Sequence, residues 1–153
     1  VSIPTSTVPQ VKAYLFTQLQ STLTAEQGSS LLVCCDEPGP YEPDDIVSVG
    51  DVTTRTTVPL AMVGSGGAGW LVETYSLEIV VDCYRGGDNP QAVAERAWSL
   101  IGQVETVVRT DPSCGGLVIE ARPGECRSES AWDEQHKGRR VRVTVAVDVQ
   151  AQI

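Results

Sequence analysis

The chain is 153 residues long, with 41% hydrophobic and 20% charged residues, values near globular averages that suit one domain over residues 1–153 burying a two-layer core without staples. No apolar run approaches the roughly 18 residues that cross a bilayer, so no membrane partner is expected. The formal net charge of −9 repels phosphate, and no Lys/Arg cluster interleaved with aromatics offers a counterion-releasing surface, so tight nucleic-acid binding is not expected.

Thr5, Ser6 and Thr7 are candidate N-caps and Pro9 suits a first helical turn. Val8, Val11, Leu15, Leu19 and Leu23 recur every three or four residues and predict an amphipathic helix ending near Gly28. The apolar run 31–35 predicts a short buried strand, after which Pro38, Pro40 and Pro43 impose an extended segment. Residues 46–58 are rich in Val and Thr and read as strand, with Gly50 and Asp51 marking a bulge or turn. The GSGGAG stretch at 64–69 offers no packing side chain and reads as a hairpin tip. It lacks the Lys-Ser/Thr ending of a phosphate loop.

Tyr75, Leu77, Ile79, Val81 and Cys83 share one face of the next strand, opposite Glu78, Val80 and Asp82. Asp88 or Asn89 caps a second helix with Pro90 in its first turn and a stripe of Val93, Ala97, Leu100, Ile101, Val104, Val107 and Val108. Trp98 lies beside that stripe and is expected to pack with it. Pro112 and Gly115-Gly116 end the helix, and 117–122 returns as strand. A charged loop follows over 126–140. The closing strand alternates Val141, Val143, Val145, Val147 and Val149 with polar residues. At about 3.3 Å per residue, 139–151 spans about 40 Å, a length that suits pairing with another subunit. Together these elements predict an α+β two-layer sandwich, a mainly antiparallel sheet with two helices packed on one face. Strand order is open.

No catalytic, cofactor or metal constellation stands out. Cys34, Cys35, Cys83, Cys114 and Cys126 give an odd count without a Cys-x-x-Cys pair, which speaks against a disulfide framework or a zinc site. His136, the one histidine, sits in a polar segment without a Gly-x-Ser-x-Gly elbow elsewhere. The acidic pairs Asp44-Asp45 and Asp133-Glu134 read as solubilising charge in preference to a cation site. The expectation is a protein that is not an enzyme and carries no cofactor. A small α+β enzyme or ligand-binding domain using Asp133, His136 or Cys126 is the alternative of another class.

The order of elements, with DIVSVG at 45–50, ETYSLEIVVDCYRGG, DNPQAVAERAWSLIGQVETVV, DPSCGGLVIEARPG and a closing RVRVTVAVDVQ, resembles the tail terminator proteins of siphophages, the long non-contractile-tailed bacteriophages. The resemblance covers nearly the whole chain and rests on pattern, length and element order, without an invariant motif. It implies a virion protein assembled in the host cytoplasm and placed at the head-proximal end of the tail. There the resemblance implies a homo-oligomeric, hexameric ring that caps the major tail tube protein, stops its growth and meets the head-tail connector, while genomic DNA passes through without specific binding. A neck stopper or adaptor is the nearest structural alternative. Interface residues are expected at Pro38 and Tyr41, at Gly66, Gly67 and Trp70, and at Arg127, Trp132, His136, Arg139 and Arg140. These segments are expected to order on assembly, and unchanged amide exchange there would refute that.

Overall fold

The computed structural model describes residues 4–25, 27, 29–40, 42–59 and 70–153. Gly28, Tyr41, Gly66 and Gly67, with the rest of the GSGGAG stretch, lie outside the described residues. The elements are α1 (Val8–Thr22), β1 (Leu31–Cys35), β2 (Asp45–Pro59), β3 (Leu71–Gly86), α2 (Pro90–Thr110), β4 (Glu120–Asp133) and β5 (Gly138–Gln152). The sheet runs β1-β2-β3-β5-β4. Only β1 and β2 are parallel; the other neighbours are antiparallel.

One face of this sheet carries both helices. Val11, Leu15 and Leu19 of α1 are buried where that helix packs on β1, β2 and α2, and Val93, Ala97, Leu100, Ile101, Val104 and Val108 of α2 are buried over the alternating residues of β3 and β5. The period-two and helical stripes therefore meet in one core, as the sequence predicts. Each buried branched side chain contributes about 1.5–3 kcal/mol relative to exposure. Asn89 caps α2, its side chain accepting from the Ala92 amide at 3.2 Å. The pairing of β2 with β3 shifts register on both sides of Val52, so the predicted irregularity follows Gly50 and Asp51.

Several elements differ from expectation. α1 ends at Thr22, well short of Gly28, because Leu23 turns extended (φ −73°, ψ 140°) and its side chain is buried. β1 is a half-exposed edge strand, since it has a neighbour on one side only. Leu117 and Ile119 precede the strand, and β4 continues through most of the segment expected as a charged loop. That segment is a β4–β5 hairpin whose connection is only residues 134–137. Trp98 faces outward at 48% exposure, because its position lies a step off the buried stripe of α2.

Candidate functional site

The face of the sheet away from the helices is open and forms a cleft of about 940 Å³ between residues 36–38 and 42–44 on one side and the side chains of β2, β3 and β5 on the other. Carboxylates dominate its lining, among them Asp36, Glu42, Asp44, Glu78 and Asp82. Asp82 receives Arg140 at 3.2 Å and Arg142 at 3.3 Å, and Arg140 reaches Asp133 at 3.3 Å. Burial alone would lower the Arg140 pKa, but Asp82 and Asp133 outweigh it and hold the pKa above its usual value. The same guanidinium lies 5.4 Å from the Tyr84 ring centroid.

At the hairpin end of this face, Asp133 accepts from the backbone amides of Gln135 and His136 and lies 3.0 Å from the His136 ring nitrogen. The His136 amide and ring, with Arg140, hold the Asp133 pKa down at about 2. Tyr84 donates its hydroxyl to the His136 carbonyl at 2.6 Å. Trp132 donates to Glu134 at 2.6 Å, and Arg139 sits 5.4 Å over its ring. These contacts close a turn, so the aspartate and histidine act here as a staple.

Of the expected interface residues, Trp132, His136, Arg139 and Arg140 gather at this turn, and Pro38 lines the cleft together with His136 and Arg140. Arg127 lies farther along β4, paired with Glu78 at 3.1 Å. Trp70 is 43% exposed at the start of β3, away from the hairpin turn. Cys126 pairs with Val145 on the helix side and packs against the core. It is seven residues along β4 from Asp133, about 23 Å at the usual strand rise. The three residues of the enzyme alternative therefore do not converge.

Two carboxylates, Asp45 and Glu73, are buried, so the expectation of Asp44-Asp45 as solubilising charge fails at Asp45, which two arginines hold inside the fold. Asp45 is fully buried and takes Arg85 through both terminal nitrogens, at 2.7 and 3.1 Å, and the Arg96 Nε at 3.0 Å. Arg96 also donates to the Thr24 carbonyl. Glu73, likewise buried, accepts from Ser6, from the Thr7 amide at 3.0 Å and hydroxyl at 2.8 Å, and from Arg55 at 2.6 Å. Burial pushes both carboxyl pKa values up, but these donors outweigh it and hold each below its ordinary value. The available signal is phase: Glu73 and Arg85 stand in step with Tyr75, Leu77, Ile79, Val81 and Cys83, where a charge demands a partner. Asp45 is thus committed to two arginines, and among the described residues no cluster of three or more His, Cys, Asp or Glu is placed to hold a metal.

The thiols are free. Burial pushes Cys83 well above the usual thiol range and Cys114 up to about 11, which leaves both as neutral packing groups at neutral pH.

No protein-family model matches the chain, and no curated protein matches it. Among solved structures, it is similar to a chain from the virion of a native gene transfer agent (GTA) particle. The identity is 14% and the TM-score 0.44, with 92% of this chain and 94% of that chain covered.

Proposed function

We propose that the chain is a non-catalytic structural protein of a phage-like virion, a tail terminator that forms a ring on the tail tube, stops its polymerisation and meets the head connector. The observation that carries the reading is the agreement between the element order of the sequence resemblance and the fold. The DIVSVG strand, the long alternating β3, the capped α2 and the closing β5 form one sheet under two helices.

The polar chemistry supports the same reading. The short-range ion pairs of the open face and the hairpin turn join neighbouring strands, and Asp45 and Glu73 join helices to sheet. Such groups shape a surface and commit their carboxylates to ion pairs. The acidic cleft suits a passage for DNA, because like charge prevents phosphate from adhering.

The test is electron microscopy of virions from a phage lacking this gene. Abnormally long tails unattached to filled heads are the expected result. Tails of normal length detached from heads would transfer the assignment to a neck connector, and intact infectious particles would overturn both.

A further inference from the structure

We propose that the outer edge of β2, over residues 52–59, takes β4 of a second copy of this chain as its next strand, in antiparallel pairing. β1 covers that edge only from Asp45 to Val49. Beyond Val49, β2 pairs with β3 on one side, and among the described residues no strand pairs with its other side. Residues 53–59 are exposed on both faces.

An exposed strand edge is a template for another strand, and proteins ordinarily guard it with Lys, Pro, a bulge or a covering element. A register shift at Val52 and Pro59 bound the stretch, and between them Thr54, Thr56, Thr57 and Val58 have high strand propensity without Lys, Pro or a bulge. The register from Thr54 to Pro59 is unbroken. Arg55 is the one charge, and its Nε is turned to Glu73 at 2.6 Å. The edge is built to be covered.

β4 supplies the matching surface. It forms the opposite edge of the sheet, and its register with β5 is unbroken from Cys126 to Asp133. Three successive antiparallel pairings separate β2 from β4, so the two edges run in opposite directions. A copy rotated alongside with its helices on the same side therefore brings β4 to β2 antiparallel, the arrangement with the straighter hydrogen bonds. The side chains fit. In the register that sets Thr57 opposite Ser128 on the helix side, Arg55 meets Ser130 there, while on the open side Thr56 meets Glu129 and Thr54 meets Ala131. Cross-strand hydroxyl pairs of this kind favour pairing, and no like charges oppose each other.

The contact joins two different edges, so it repeats from copy to copy and closes where rotation allows. Closure as a ring rests on the function proposed above; the edge pairing stands on the sheet. The test uses two variants of this chain, each also carrying Cys35→Ser and Cys126→Ser, one with Thr56→Cys and one with Glu129→Cys, positions that share the open side. A short bis-maleimide is expected to give several-fold more covalent dimer in the mixture than in either protein alone. Adding Thr53→Lys and Thr57→Lys to the first protein is expected to return the yield to background with an unchanged circular dichroism spectrum. Background yield in the mixture overturns the proposal, as does equal yield from the Thr56→Cys protein alone, which would pair two β2 edges. The cross-link reads the edge contact and the gene deletion reads the role in the virion, so failure of one is distinct from failure of the other.

Discussion

Asp45 holds two cations at once, because Arg85 and Arg96 both direct a guanidinium at a carboxylate that water does not reach. Removing its charge strands two arginines beside a neutral amide, and breaking a buried pair in this way costs about 3–5 kcal/mol. Asp45→Asn is therefore expected to lower the urea midpoint strongly with an unchanged m-value, while Glu134→Gln, at the exposed hairpin turn, leaves the midpoint in place. A second residue acts through what it lacks. A Cβ on Gly138 would run into the Arg85 carbonyl and the Tyr84 ring at the start of β5. Gly138→Ala is expected to cost about 1–3 kcal/mol by overpacking, measured by the same titration, and to move the Tyr84 and His136 signals in NMR spectra.

Among the elements, those buried on one face were legible and those exposed on both were not. β3, β5 and α2 each keep an apolar period because the core selects every second residue of a strand and one stripe of a helix. β4 has no such selection beyond Ala121, Pro123 and Cys126, so its charged residues read as loop although its backbone pairs continuously with β5 from Cys126 onward. β1 shows the converse: an apolar run marks a strand but does not say whether it lies inside or at an edge. Of the candidate site, Trp132, His136, Arg139 and Arg140 were legible as a cluster because they are close in sequence. The clamp at Asp45 was not, since it joins residues 40 and 51 positions apart. Trp98 lost its expected place for a reason of angle, one step from the buried stripe. Trp98→Gln is accordingly expected to stay within about 0.5 kcal/mol of the parent, as surface changes do. Leu100→Ala, two residues on and fully buried, is expected to cost about 2–5 kcal/mol. Thermal melts of the pair check the assignment of the two faces.

At the scale of the whole molecule, the two buried carboxylates sit toward opposite ends of the sheet and tie the layers together. Glu73 joins the start of α1 to β3 and β2, and Asp45 joins β2 to β3, α2 and, through Arg96, the Thr24 carbonyl after α1. Both carboxyl pKa values are depressed in the folded protein from ordinary values of 4.5 and 3.8. The unfolded chain therefore binds protons first on acidification, and folding free energy falls as pH drops. The stabilisation from these groups is fully present above the ordinary carboxylate range and is lost as pH falls through the folded values. An opposing effect acts in the same window: protonation also relieves the repulsion of a chain with net charge −9. Exposed charges are screened by salt while the buried pairs are screened much less, so the two effects separate with ionic strength. Urea midpoints at about pH 6 and about pH 3 in high salt are expected to show a large acid loss for the parent. The loss should shrink clearly in the Asp45→Asn/Glu73→Gln double variant, because it no longer has these two protons to gain. Equal losses in the two proteins would move the acid sensitivity to the turn carboxylates Asp111 and Asp133, whose pKa values are also held down.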